Sequence, residues 1–375
     1  MDRGGGPTDL FRAIYSEGGG IVVYEKSCRQ IFPAGRLGKL VGRALVWLAA
    51  AGLLFVAPAL ALAQATPPQV ATPKAAPPGA AAPPAATPRP AAPPGAAAEE
   101  SAAVEPKEMS VTTEDGVAIK FSYYASATPE SVPVILLHGG GGKRDDLRPV
   151  AEYLSAQGHS VVVPDLRGHG ESTEQTKAGR TITLSYKTQN RNDINAMVLH
   201  DMTKIWNFLL NENNEKVVNI KKLCVVGVDM GAIVAVNFVA KNYTEKDYRN
   251  QPRGKDVKAL VLVSPPSAYR GASCSEATKQ PAFKGQVSTL IAVGDDGATE
   301  RNNAKQLESI LTKFAESGAN KDSKEKLVLY AALKTKLQGA QLLANPQLKL
   351  MAAVDGFIQK RLVEKNIPWV KQIAF

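Results

Sequence analysis

Residues 223–231 read Leu223-Cys224-Val225-Val226-Gly227-Val228-Asp229-Met230-Gly231, an apolar run that stops at a Gly-x-Asp-x-Gly turn. A short, continuous apolar run fits a strand buried on both faces, whereas a half-exposed strand would alternate. From Met230 to Lys241 the apolar positions return at helical spacing. The stretch therefore predicts a strand (Leu223–Val226), a sharp turn at Asp229 and a helix (Met230–Lys241).

The same order repeats on both sides of it. Upstream lie two short runs, Met109–Thr113 and Val117–Tyr124, joined by Asp115-Gly116, a hairpin signal. They are followed by strand Val132–Leu137, helix Asp145–Ala156, strand Ser160–Val163 and helix Asp193–Leu210. Downstream come strands Ala259–Val263 and Thr289–Val293, helix Asn303–Glu316, strand Lys326–Tyr330 and helix Pro346–Arg361. Continuous apolar strands alternating with helices predict an α/β protein, its sheet mostly parallel and covered on both faces.

Three motifs sit at the strand ends: His138-Gly139-Gly140 after the third strand, Pro164-Asp165-Leu166-Arg167-Gly168-His169-Gly170 after the fourth, and the Gly227–Gly231 turn after the fifth. In this order and spacing, the chain from Glu108 to about Leu362 resembles the α/β-hydrolase superfamily, in the style of its compact, lidless esterase, lipase and serine aminopeptidase branch. The resemblance implies an eight-stranded, mostly parallel sheet with helices on both faces. Only 22 residues, 265–286, separate the sixth strand from the seventh, too few for a helical cap domain, so an open site without a cap is expected.

The resemblance also assigns roles. The turn is the nucleophile elbow, where glycines two residues to either side avoid a Cβ clash. Its nucleophile position, usually Ser, is Asp229. A carboxylate is a nucleophile in the dehalogenase and epoxide hydrolase branches, but these follow it with Trp, and here Met230 follows. Asp is equally a favoured N-cap for the helix beginning at Met230. The backbone N–H groups of Met230 and of Gly139 or Gly140 are the expected oxyanion donors. The acid position, the third residue after Gly294, is Gly297, which leaves Asp295 and Asp296 as shifted candidates or as an ordinary Asp-Gly turn.

The base is missing. The chain has four histidines, His138, His159, His169 and His200, and none follows Asp229. Where the superfamily places its histidine, the chain reads Leu337-Gln338-Gly339-Ala340-Gln341-Leu342-Leu343, with Gln341 the nearest match by register. An amide does not titrate near neutral pH. His138, beside the oxyanion loop, is the weak substitute; its usual role in the superfamily is structural. The expectation is a binding or scaffolding protein with a degenerate triad, and the alternative is an active hydrolase of esters, epoxides or haloalkanes using Asp229. If Asp229 turns its carboxylate toward the two oxyanion donors, the pocket becomes a self-satisfied turn. No cofactor and no metal site are expected.

Composition sets the surroundings. With 44% apolar and 21% charged residues the chain is neither disordered nor an integral membrane bundle. The net charge of +10 is spread among alternating signs, and no basic run is threaded with aromatics, so nucleic acid is not an expected partner. Residues 1–35 read as an extension without a domain pattern. Residues 36–63 combine Arg36, Lys39 and Arg43 with the apolar run Ala44–Ala63 and its small-residue end Ala61-Leu62-Ala63, as a signal peptide or a retained membrane anchor. Residues 64–107 are an Ala/Pro linker; twelve of the 25 prolines fall between Pro67 and Pro106, and such a chain stays extended. The fold is expected over 108–362, with a tail at 363–375. An exported protein follows, in the periplasm, at the cell surface or tethered through residues 44–63, with an unspecified small-molecule or envelope ligand. Cys28, Cys224 and Cys274 do not make a disulfide framework.

Overall fold

A computed structural model describes residues 22–23, 105–248, 253–317 and 325–373. The expected signal segment, nearly all of the linker and Cys28 lie outside the described residues. Eight strands build the main sheet: β1 (Lys107–Thr112), β2 (Ala118–Tyr124), β3 (Pro133–Leu137), β4 (Ser160–Pro164), β5 (Leu223–Val228), β6 (Val257–Val263), β7 (Ser288–Gly294) and β8 (Val328–Leu333). Their spatial order is β1-β2-β4-β3-β5-β6-β7-β8. The β1–β2 and β2–β4 pairs are antiparallel, and every later pair is parallel. Beyond β8 a two-residue strand, Val22–Val23, pairs antiparallel with Ala332 and Ala331, so this part of the N-terminal extension is structured.

The helices are α1 (Arg148–Ala156), α2 (Arg191–Ala196), α3 (Met202–Asn214), α4 (Met230–Thr244), α5 (Ala298–Glu316), α6 (Gly339–Ala344) and α7 (Leu350–Ile358). The period-2 pleat divides the apolar strand residues between two cores. Ile135, Leu137 and Val225 pack with Trp206 of α3, Phe238 of α4 and Leu311 of α5. Val134, Leu136, Cys224 and Val226 pack with Leu154 of α1, Leu343 of α6 and Val354 of α7. The sheet is thus covered on both faces, and no helix longer than three residues lies between β6 and β7, in line with the absence of a cap domain.

Three local features depart from the expectation. The helix expected over Asp193–Leu210 is split into α2 and α3 by a π-helical turn, Met197–Asp201, which carries the buried Asp201 inward. The C-terminal helix expected over Pro346–Arg361 is a short turn at Pro346–Leu348, a left-handed Lys349, α7, and a final π-turn. Two hairpins were not foreseen: Glu174–Lys177 with Arg180–Thr183, and Ala268–Tyr269 with Ala272–Ser273. Both turn through a pair of positive-φ residues, Ala178-Gly179 and Arg270-Gly271, and Ala and Arg are poor signals for such a turn.

The Asp165–Gly170 motif is tied down by ion pairs and hydrogen bonds. Arg144 donates to Asp165 at 2.5 Å, and Asp165 also accepts from the N–H groups of Arg144 and Glu171. Arg167 lies 2.6 Å from Asp115 in the β1–β2 turn and 2.6 Å from Asp201 in the π-turn. The tail is also fixed: Trp369 donates to the Asn213 carbonyl, and Gln372 donates to Asp256. Cys274 is buried, and burial pushes its thiol up to about 12. Cys224 and Cys274 are both free.

Candidate functional site

The elbow forms because β5 runs straight into α4 with no loop between them. Asp229 bridges them at φ 49° and ψ −118°, a left-handed conformation that costs a non-glycine residue roughly 1–3 kcal/mol. Its N–H donates to Val263 O at 2.9 Å, and its carbonyl accepts from Ala232 at 2.9 Å, so the backbone is tied on both sides. The flanking glycines are steric necessities. A Cβ at Gly227 would stand 2.5 Å from Gly231 O, and one at Gly231 2.5 Å from Leu137 O, both rigid backbone atoms.

Asp229 occupies the N-cap position of α4 without a side-chain cap. Its side chain makes no hydrogen bond into the first turn of α4, because the positive φ swings it off the helix axis. The half-buried carboxylate instead faces the N–H groups of Met230 and Gly140. Burial raises its pKa, and those two N–H groups act against the rise. On the other side, a Cβ at Gly139 would lie only 3.2 Å from Asp229 Oδ2. The residues singled out as oxyanion donors, Gly139, Gly140 and Met230, are therefore gathered around Asp229.

His138 is not placed to serve it. The ring is fully buried, Nδ1 donates to Gly139 O at 2.8 Å, and Nε2 accepts from Leu166 N–H at 3.1 Å. That pair of contacts requires the proton on Nδ1 and occupies both nitrogens. Burial lowers its pKa, which keeps the ring neutral. His138 positions the oxyanion loop on the motif that follows β4, and the weak base assignment is corrected accordingly. Its neighbour His169 donates through Nδ1 to Arg167 O and stacks on Tyr186, and burial holds its pKa down to about 4. His159 pairs with Asp355 and His200 with Glu114.

Asp295 and Asp296 follow β7 but meet no histidine. Asp295 sits 3.7 Å from Arg301, and Asp296 is exposed. Gln341, the position matched by register, is exposed on α6. Gln338, three residues earlier, is the side chain of this loop that reaches the strand ends. Gln338 Oε1 accepts from Ser264 Oγ at 2.7 Å, its Nε2 donates to Gly294 O at 2.9 Å, and Ser264 Oγ accepts from Gly339 N–H at 2.9 Å. A Cβ at Gly297 would lie 3.1 Å from Gln338 Nε2, and one at Gly339 3.6 Å from Val228, the residue before Asp229. The loop after β8 thus meets the ends of β6 and β7 through an amide that cannot exchange a proton.

Two tyrosines complete the surroundings, and the sequence did not single out either. Tyr269, half-buried on the small hairpin after β6, lies so close over Gly140 that a Cβ there would be 2.4 Å from its hydroxyl. Tyr186 stands against Gly141 in the same way, at 3.1 Å. Both come from short irregular segments whose positions only the folded chain reveals.

Comparison with known proteins agrees with this architecture. Residues 132–286 match the family model described as alpha/beta hydrolase fold. The chain is 26% identical over 160 residues to Lipase 1 of Psychrobacter immobilis and likewise to Lipase 3 of Moraxella sp. (strain TA144), each match covering 43% of this chain. It spans only 38% and 39% of the length of those two relatives. Among solved structures, the esterase Pf2001 of Pyrococcus furiosus is similar with a TM-score of 0.50 and 17% identity, covering 69% of this chain and 92% of the esterase. The strand order, the strained elbow and the matched segment together make the chain an α/β-hydrolase-fold protein.

Proposed function

We propose that the chain is a catalytically degenerate α/β-hydrolase-fold protein that acts by binding or scaffolding outside the cytoplasm. The observation that carries this is Gln338, hydrogen-bonded to Ser264 and Gly294 beside Gly297, where a triad needs a histidine and its acid. Without a base, neither a serine nor the water that releases an aspartyl ester is activated. The two backbone donors that would stabilise an oxyanion already face the carboxylate of Asp229, so an incoming oxyanion meets a like charge.

The alternative, Asp229 as a nucleophile, draws on one feature: its carboxylate sits on a strained elbow with no ion-pair partner among the described residues. Intact-protein mass after incubation with 1,2-epoxyhexane or 1-bromobutane separates the two. An unchanged mass is expected. A single stable adduct mapping to Asp229 would favour a nucleophile that attacks once and, lacking a base, stays esterified.

Export rests on the order of basic, apolar and small residues over 36–63. Cleavage after Ala63 gives a mature N-terminus at Gln64, and N-terminal sequencing of the envelope form reads it directly. An N-terminus upstream of Ala44 would instead mean that the apolar run is kept as the tether.

A further inference from the structure

We infer that the end of the domain opposite the elbow docks on an anionic membrane surface, whether or not the elbow turns over substrate. The first observation is the direction of the chain. β1 is antiparallel to β2 and β2 to β4, so β1 runs the same way as β3 to β8. Its first residue, Lys107, therefore lies at the end of the sheet where the parallel strands begin, and the elbow lies at the end where they stop. The chain that comes from the apolar run Ala44–Ala63 through the Ala/Pro linker enters the fold at the end away from the elbow.

The second observation is where the charge sits. Among the described residues, the segments at the entry end (125–132, 157–159, 215–222, 245–248, 253–256, 284–287, 325–327 and 359–373) hold twelve Lys or Arg against seven Asp or Glu. Those at the elbow end (113–117, 138–147, 165–190, 229, 264–283, 295–297 and 334–347) hold ten against eleven. The positive excess is thus concentrated at the entry end. Lys216, Lys255 and Lys371 are exposed there, with no acidic partner among the described residues.

The third observation is apolar. The tail crosses this end and is held to it, with Asn219 donating to Ile367 O and Asn213 to Val370 O, both at 3.0 Å. It nevertheless leaves Val363 43% and Val370 36% exposed, and Lys216 Nζ stands 5.1 Å from the ring centroid of Trp369. Lysines beside a tryptophan and exposed valines suit the headgroup level of a bilayer, where the ammonium groups meet lipid phosphates and the apolar side chains enter the acyl boundary. Nucleic acid would match the charge and leave the valines without a partner.

The test is lysine acetylation of the full chain on phosphatidylcholine vesicles with and without about 30% phosphatidylglycerol, read residue by residue by mass spectrometry. Lys187 and Lys336, exposed at the elbow end, are the internal references. Relative to them, Lys216, Lys365 and Lys371 are expected to react about threefold or more slowly on the anionic vesicles than on the zwitterionic ones. The difference is expected to fade in about 0.5 M NaCl, which screens the attraction. The double variant Lys365→Glu, Lys371→Glu is expected to lose the protection of Lys216 with an unchanged thermal melt, since both positions are exposed. Equal rates on the two vesicles, equal slowing at both ends of the domain, or protection of Lys216 that survives in a folded double variant overturns the inference. Protection by a DNA duplex in solution but not by anionic vesicles also overturns it, and assigns the face to nucleic acid. Ester turnover dependent on Asp229 would contradict the function proposed above and leave this inference standing.

Discussion

Asp229→Ser alone will remain without esterase turnover, and the triple substitution Asp229→Ser, Gly297→Asp, Gln338→His will acquire it. The single change supplies a hydroxyl at the elbow but no group to take its proton, and an unassisted serine is a weak nucleophile. Gln338 already sits between the ends of β6 and β7 and borders the Gly297 position, so a histidine there has an acid to orient it. Gly297 tolerates the change: its backbone, φ −86° and ψ 105°, is ordinary for Asp, and its closest obstacle is the flexible end of Glu300. Removing the Asp229 carboxylate also frees the Met230 and Gly140 donors. General-base assistance contributes on the order of a hundredfold or more, so initial rates on p-nitrophenyl butyrate should rise by at least that factor from single to triple variant. Robust turnover by Asp229→Ser alone would reveal a base elsewhere; a silent, folded triple variant would mean that Gln338 is not in the equivalent place.

The largest expected loss of stability comes from Arg167→Ala. Its guanidinium bridges Asp115 and Asp201, and Asp201 is completely buried. Truncation strands a buried carboxylate, which typically costs about 3–5 kcal/mol. The pH dependence carries a definite sign. Burial already lifts Asp201 up to about 6 in the folded chain, above the ordinary range for an unfolded aspartate, so its charged form is penalised above that pH and the penalty fades as pH falls. Without Arg167 the penalty at neutral pH grows, and protonation removes more of it. Asp115 titrates lower: Arg167 and Thr113 outweigh its partial burial and hold it down to about 2, and that stabilisation persists above the unfolded pKa and is lost only as pH falls toward 2. Urea denaturation should therefore find the variant's deficit largest near pH 7 and smaller near pH 5. A deficit below about 1 kcal/mol, the level of an exposed ion pair, would contradict the account.

The fold was legible because its strongest signals are local. Runs such as Val132–Leu137 and Leu223–Val226 have no polar face to show to water, and only a sheet covered on both sides accommodates a series of them. The elbow glycines were legible for the same reason, since they answer a steric demand of the strand-to-helix turn itself. Asp229 was harder. Its residue type speaks for a helix cap, but capping needs an extended backbone at the cap residue, and the φ of 49° directs the side chain to the oxyanion loop instead. Gln338 was not legible because the loop after β8 has no periodicity to fix its register; the hydrogen bonds to Ser264 and Gly294 fix it in space. Tyr186 and Tyr269 ride on turns through Gly or irregular segments, where sequence pattern says little about direction. Asp201 owes its place to a π-turn, a one-residue insertion in helical register that leaves no mark on the apolar pattern.

The central claim is that the elbow does not turn over substrate, and its most direct test is a set of initial rates on p-nitrophenyl acetate, butyrate and octanoate, measured for the purified chain beside Asp229→Ala. The account predicts that the two proteins are indistinguishable and at the rate of the uncatalysed reaction. Turnover by the wild type that disappears in Asp229→Ala would contradict it and establish Asp229 as a working nucleophile.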